Sequence, residues 1–255
     1  MEKNNTPIIQ VEHLVAQYED RTILEDINFK IYPGEIFMIL GGSGSGKTTL
    51  MNHMIGLLKP AAGNIIIENK NIVTALESER LDILKNIGVM YQSGALFGSM
   101  NLLENVRFPL EELSLLPLEA MNMIALNKLQ MVGLGGFGSF MPAEISGGMK
   151  KRAAIARAMA LDPLILFLDE PSAGLDPIIS SQLDQLILKL SKTLGITFVI
   201  VSHELRSIYS IAQRVIVLHR GIIADTGDPN ILRDHSKDDY VQKFLTGNVI
   251  HDDKR

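Results

Sequence analysis

The sequence predicts an α/β domain built on a mainly parallel sheet, and three observations carry that prediction. A compact apolar run, Ile36-Phe37-Met38-Ile39-Leu40, leads into Gly41-Gly42-Ser43-Gly44-Ser45-Gly46-Lys47-Thr48 and then into a helix-compatible run, Thr49-Leu50-Met51-Asn52-His53-Met54-Ile55. Two later runs, Leu164-Ile165-Leu166-Phe167-Leu168 and Thr197-Phe198-Val199-Ile200-Val201, are apolar almost throughout, as strands covered on both faces must be. Helix-compatible segments alternate with these strands, the pattern of helices crossing over a parallel sheet.

In chain order, Ile9 to Tyr18 and residues 23–31 read as two strands joined at Glu19-Asp20-Arg21. Ile27, Phe29 and Ile31 alternate with polar residues, the period of a half-buried antiparallel strand. Pro33-Gly34 turns the chain into the strand at 36–40. A turn at Ala61-Ala62-Gly63 precedes a short strand over 64–68. Residues 77–86 predict a polar helix and 87–92 a strand. From Ser93 to about Leu161 strand patterns vanish. Leu, Met and Ala recur at helical spacing from Pro117 to Val132, and Asn101 with Glu104 has the spacing of a helix-start pair. This stretch is an all-helical insertion between two core strands.

Beyond the strand at 164–168, Asp176-Pro177 opens a helix with Asp as cap and Pro at the first position. Leu183, Leu186, Ile187, Leu190 and Leu194 are its expected buried stripe, and Gly195 ends it. The strand at 197–201 is followed by a helix through Ile211, a strand from Arg214 to Leu218, and a short amphipathic helix over 239–245. Residues 248–255 are expected to be a flexible tail.

Bulk properties narrow the function classes. Hydrophobic residues make up 46% of the 255 and charged residues 21%, which excludes wholesale disorder. The net charge of −5 offers no general attraction to nucleic acid or anionic lipid. There is no cysteine, so disulfides and thiolate metal sites are excluded. Residues 1–10 contain no apolar core of signal-peptide length, and no apolar run approaches the roughly 20 residues of a membrane-spanning helix.

The stretch 41–48 sits between strand and helix, the context a phosphate-binding P-loop requires. Its glycines let the backbone curl so that successive N–H groups point inward. The helix beginning there aims its unsatisfied N–H groups at the same anion. Lys47 supplies a point charge for the β- and γ-phosphates, Thr48 a hydroxyl for Mg²⁺, and Thr49 continues the binding turn. The expected ligand is a nucleoside triphosphate.

Asp169-Glu170 stands at the carboxyl end of the strand 164–168, the edge where open α/β sheets place ligands. One carboxylate can hold Mg²⁺ and the other can orient and deprotonate a water; alternatively the pair simply caps the next turn of the chain. Ile145-Ser146-Gly147-Gly148-Met149 precedes a further helix and is either a second anion site or a cap with a flexible entry. Lys150-Lys151-Arg152 reads as a solvated helix face.

Taken together, these segments resemble the ATPase subunit of an ATP-binding cassette (ABC) transporter, over nearly the whole chain. Gly41 to Thr48 match the Walker A loop, Gln92 the Q-loop glutamine and Ser146-Gly147-Gly148 the ABC signature. Leu164 to Asp169 match Walker B, Ser172 to Asp176 the D-loop, and Tyr18 the aromatic that stacks on adenine. The resemblance implies Glu170 as the catalytic carboxylate, His203 as the γ-phosphate sensor, Lys47 as a catalytic cation, and Asp176 among the nucleotide-binding residues. It implies Mg²⁺ held by Thr48, Gln92 and Asp169, with ATP as the substrate. The fold it implies is a P-loop NTPase with a mainly parallel core sheet, an antiparallel β subdomain and an all-helical insertion. The expected layout is a single domain over 7–247: a RecA-like core with the antiparallel part at about 7–92 and 162–228, a helical subdomain at about 93–161, and a C-terminal helix at about 229–247.

Gly42 stands where many members have proline, and Ile145 and Met149 replace the commoner leucine and glutamine. The run Pro142-Ala143-Glu144-Ile145-Ser146-Gly147-Gly148-Met149-Lys150-Lys151-Arg152, with Gln92-Ser93-Gly94-Ala95-Leu96-Phe97, resembles the Mla/Mce-type phospholipid transport branch. That resemblance implies a head-to-tail pair of ATPase subunits, integral membrane permease subunits, an MCE-domain lipid-binding protein and a small STAS-type accessory subunit. It places the chain at the cytoplasmic face of the inner membrane as a peripheral protein, with phospholipid as the transported substrate and no nucleic acid partner. Leu96, Phe97 and Met100 are expected to help form the groove that receives a permease helix. With eight residues after Gly247, no partner-embracing tail is expected. The alternatives are an ABC transporter for another substrate, or a soluble ABC ATPase acting on nucleic acid or ribosomes. The single cassette and the shortness of the insertion between Gln92 and Ser146 count against the soluble types.

Overall fold

A computed structural model of the protein describes residues 6–19 and 21–248. Strands β1 (Ile9–Tyr18) and β2 (Arg21–Ile31) pair antiparallel, with Tyr18 opposite Arg21. Asp20 of the expected turn, and residues 249–255 of the expected tail, lie outside the described residues. Next come β3 (Ile36–Gly41) and α1 (Lys47–Met54), then β4 (Ala62–Ile67), which returns to β1, and the two-residue β5 (Lys70–Asn71). Helix α2 (Glu77–Lys85) leads to β6 (Ile87–Met90). The insertion supplies α3 (Leu102–Leu113), α4 (Leu118–Met131) and α5 (Gly147–Ala158), which pack on one another. The expected start pair is present: Asn101 Oδ1 accepts from the Glu104 N–H, and Glu104 accepts from the Asn101 N–H.

The chain continues with β7 (Ile165–Asp169), α6 (Pro177–Leu194), β8 (Thr197–Val201), α7 (Leu205–Ile211), β9 (Arg214–His219), β10 (Ile222–Gly227), α8 (Pro229–His235) and α9 (Asp239–Thr246). Two sheets result, β2-β1-β4-β5 and β10-β9-β3-β8-β7-β6. In the second, β6, β7, β8, β3 and β9 run parallel, and β10 is an antiparallel edge.

The parallel strands are apolar throughout because each serves two cores. Successive side chains point to opposite faces of a sheet. Met38, Leu40, Leu166, Leu168, Phe198 and Ile200 face a core shared with α3–α9. Phe37, Ile39, Ile165, Phe167, Val199 and Val201 face a second core, against α1 and the antiparallel sheet.

Several boundaries differ from the sequence expectation. Strand β6 stops at Met90, so Tyr91 and Gln92 lie beyond the sheet. Strand β7 starts at Ile165, and Leu164 is exposed. On α6 the buried stripe is Leu183, Ile187 and Leu190; Leu186 is half-buried and Leu194, in the last turn, is exposed. Residues 229–247 form two helices rather than one, because Ser236 is extended and Asp238 starts a new cap. Strand β10 carries no alternating signal, since all of its residues are exposed or half-buried and neither face is buried; a tight turn at Arg220 (φ 49°) and Gly221 (φ 83°) folds it back on β9.

Candidate nucleotide-binding site

Parallel pairing brings the chemistry to one edge. Strand β8 lies between β3 and β7, with Val201 opposite both Ile39 and Asp169. The loop after β3, the acidic pair ending β7 and His203 after β8 therefore share the carboxyl edge of the sheet.

Backbone geometry makes the loop's glycines necessary. Gly41 has φ 147°, and a Cβ there would collide with the Leu218 carbonyl and lie 2.6 Å from Ser45 Oγ. Gly46 has φ 101°, and a Cβ would lie 2.5 Å from Leu24 Cδ2. Gly46 is the N-cap of α1 and no side chain caps this helix, so its first-turn N–H groups open onto the loop. The Lys47 ammonium donates to the carbonyls of Gly41 and Gly42, each at 2.8 Å. Burial pulls its pKa below the ordinary lysine value, while Glu170 and Asp169 push against that shift. Ser43, Gly44 and Thr48 are exposed and Thr49 is half-buried. Ser45 Oγ is buried and has no hydrogen-bond partner. The Gly42 N–H does not turn into the cradle; it donates to the Tyr240 hydroxyl at 3.0 Å.

Asp169 is the last residue of β7, and burial followed by Glu170 raises its pKa against the pull of Lys47 and Lys151. Glu170 has φ 46°, a left-handed conformation few non-glycine residues adopt, and its N–H is anchored to the Val201 carbonyl at 2.9 Å. Its Oε1 lies 2.7 Å from His203 Nδ1, and its Oε2 is buried without a partner. An ionised Glu170 requires the proton on Nδ1, which leaves Nε2 free for a ligand.

The basic cluster is corrected by the structure. Lys151 is buried, not solvated, and its ammonium donates to the backbone carbonyls of Gln92 and Glu170, the latter at 3.2 Å. Arg152 donates to the Val132 carbonyl at 3.4 Å. Four consecutive residues, Ala153 to Ala156, are fully buried, so Lys150, Lys151 and Arg152 all lie three and four positions before buried ones, and only the packing of α5 makes Lys151 the inward lysine.

The remaining predicted residues stand further apart. Gln92 is exposed just past β6. Ser146 caps α5 by accepting from the Met149 N–H at 3.3 Å, and Ser146 and Gly147 are exposed. Gly148 is buried, and a Cβ there would lie 2.5 Å from Ile179 Cγ2, so this glycine lets α5 approach α6. Asp176 caps α6 by accepting from Ile178 and Ile179. Tyr18 is 74% exposed at the end of β1. Among the described residues, none of Tyr18, Ser146 and Asp176 is hydrogen-bonded to the loop 41–48. Nor do those residues contain a cluster of three or more His, Cys, Asp or Glu side chains fit to hold a metal.

A family model described as ABC transporter matches residues 24–173. The chain is 39% identical over 242 residues to a protein of Mycobacterium tuberculosis named probable ribonucleotide transport ATP-binding protein mkl, covering 95% of this chain and 67% of that one. It is 38% identical over 244 residues to the intermembrane phospholipid transport system ATP-binding protein MlaF of Haemophilus influenzae, covering 95% and 92%. Among solved structures it resembles the ATP-binding cassette MJ0796, a dimer in a post-hydrolysis state bound to ADP and Pi. That match has a TM-score of 0.78, 31% identity, and coverage of 86% and 98%.

Proposed function

This chain belongs to the ABC transporter family, and from that membership we propose that it hydrolyses ATP to power phospholipid movement between membranes. The observation that carries the hydrolytic part is Glu170, buried beside the phosphate loop with one oxygen on the exposed His203 and the other unpaired. Lys47 exchanges the carbonyls of Gly41 and Gly42 for phosphate oxygens, and Ser43 to Thr49 supply N–H groups along the same anion. Glu170 Oε2, unpaired and buried, takes a hydrogen bond from the attacking water and then its proton. His203 Nε2 faces the γ-phosphate while Glu170 holds the ring by Nδ1. Thr48, Gln92 and Asp169 would hold Mg²⁺, which supplies charge neutralisation on the phosphates. So few protein ligands suit a cation that keeps waters and takes phosphate oxygens.

Tyr18 is proposed to stack on the base, and Asp176 to stand at the nucleotide edge. Ser146, Gly147 and Gly148 are proposed to close on the nucleotide of a second copy, a reading supported by their place at the start of α5 and by the dimeric cassette the chain resembles. No helix among the described residues is long and apolar enough to cross a membrane. The proposed partners are therefore permease subunits that hold the chain at the cytoplasmic face of an inner membrane, with an MCE-domain protein and a STAS-type subunit. Residues 7–247 are proposed to act as one unit in that complex. Phe97 supports a docking surface there: the residue is 42% exposed, its ring is edge-on to Phe108 at 4.9 Å, and Asn105 clamps its backbone N–H and carbonyl.

The name of the mycobacterial relative favours a second cargo, a ribonucleotide. Purification of the tagged chain from detergent-solubilised membranes, with identification of co-purifying subunits and extracted lipids, decides between them. Phospholipid with permease subunits is expected. Recovery with ribosomes or nucleic acid, and no membrane protein, overturns the proposal.

A further inference from the structure

Sequence motifs single out the loop 41–48 but not the residue that steadies its first turn. The Gly42 N–H donates to Tyr240 Oη, a contact across 198 residues of sequence. A Cβ at Gly42 would lie 3.1 Å from that oxygen, so the phenol sits directly against the backbone. Tyr240 is itself firmly held. Its ring lies 3.7 Å, centroid to centroid, from His219, which ends the strand β9 paired with β3 up to Gly41. Asp238 caps α9 by accepting from the N–H groups of Tyr240 and Val241. Val241, Phe244 and Leu245 are buried, and Tyr209 of α7 donates to the Leu245 carbonyl at 2.6 Å.

Gly42 is the opposite case. It has no side chain, it comes directly after a glycine at φ 147°, and another glycine stands two residues on at φ 75°. A glycine backbone explores more conformations than any other. A proline would fix φ near −65° covalently and would have no N–H to give. Here the restraint comes from outside the loop.

We infer that Tyr240 is a positioning residue for the phosphate loop. Its oxygen holds the Gly42 N–H and keeps the loop in the conformation that receives the nucleotide; the inference rests on the nucleotide-binding reading of that loop. A ligand's apparent affinity scales with the fraction of molecules already in the competent conformation. Tyr240→Phe keeps the ring against His219 and removes only the oxygen. Loss of one ordinary hydrogen bond corresponds to about three- to tenfold in that equilibrium.

The test uses the full chain and a fluorescent ATP analogue with Mg²⁺, titrated against wild type and Tyr240→Phe. Tyr240→Phe is expected to raise the Kd about three- to tenfold. The KM for ATP should rise with it while kcat at saturation stays unchanged. Equal affinity of wild type and Tyr240→Phe overturns the inference. So does a loss of affinity with faster hydrogen exchange spread over residues 239–246, which is what a purely structural role of α9 produces.

Hydrogen exchange over residues 40–46 is compared on wild type and Tyr240→Phe without nucleotide. Faster exchange in Tyr240→Phe is expected, and unchanged exchange overturns the inference. A wild-type chain that binds no nucleotide while its loop loses protection in Tyr240→Phe counts against the nucleotide reading instead.

Discussion

Glu170 and Lys151 show how one residue's surroundings decide its chemistry. Glu170 is fixed at φ 46° by its anchored N–H, with one oxygen on His203 and the other buried and unpaired. Glu170→Gln keeps the shape and cannot take a proton, so hydrolysis by the purified complex should fall by about 10²-fold or more. Turnover near wild type would remove Glu170 as the base. Lys151 carries a charge into the interior, where burial lowers its pKa and Asp169 and Glu170 oppose that shift. Its partners are the backbone carbonyls of Gln92 and of Glu170 itself. Lys151→Met keeps the length and strands both carbonyls, at a cost of about 1–3 kcal/mol in urea unfolding. ATPase activity should fall with it, because Gln92 and Glu170 lose their common tether.

At the scale of elements, α6 is defined at both ends by its own sequence, and it joins the site to the core it shares with α7. Asp176 accepts two first-turn N–H groups, Pro177 occupies the first position, and Gly195 ends the helix at φ 68°. Asp176→Ala should cost about 1 kcal/mol of stability. Inside α6, Asp184 is buried and accepts from the Ser207 hydroxyl of α7 at 2.9 Å. Burial pushes its carboxyl up to about 6 from 3.8, Ser207 pulls it down, and Glu204 pushes it up. Since the folded value lies above the unfolded one, this group's contribution to stability is complete below the unfolded value and is lost as pH rises through about 6. Wild type should therefore gain about 1 kcal/mol over Asp184→Asn between pH 7 and pH 5 in paired denaturant titrations. A difference that does not change with pH would place the carboxylate in water.

At the scale of the whole molecule, the exposed start of α5 and the buried Glu170 belong to different parts of one chain. Ser146 and Gly147 face solvent, whereas Glu170 lies in the sheet edge. The proposed second copy, supplying Ser146 to this chain's nucleotide, would link the two. Glu170→Gln with Mg-ATP should then sediment as a dimer, because closure proceeds and hydrolysis does not. A monomer under those conditions counts against the shared site. Phe97→Asp should leave the subunit folded and able to bind ATP, since Asn105 holds that turn through its backbone, and should abolish co-sedimentation with membranes. Unfolding of the variant would make Phe97 a core residue instead.

The strands, the glycine loop, the cap of α6 and the start of α3 were legible because each is decided within a few residues. Two-faced burial requires unbroken apolar runs, left-handed turns require glycine, and first-turn N–H groups require a nearby acceptor. By itself the sequence thus determined the α/β architecture and the order of the phosphate loop, Asp169, Glu170 and His203 along the chain. Only the tertiary structure decided that the last described helix reaches the first turn of the phosphate loop. It also decided that Lys151 tethers Gln92 to Glu170, and that Gly148 is needed for α5 to meet α6. These contacts join residues tens to hundreds of positions apart, and nothing local selects the partners. Strand order and helix packing bring them within reach of one another, and those are properties of the assembled sheet.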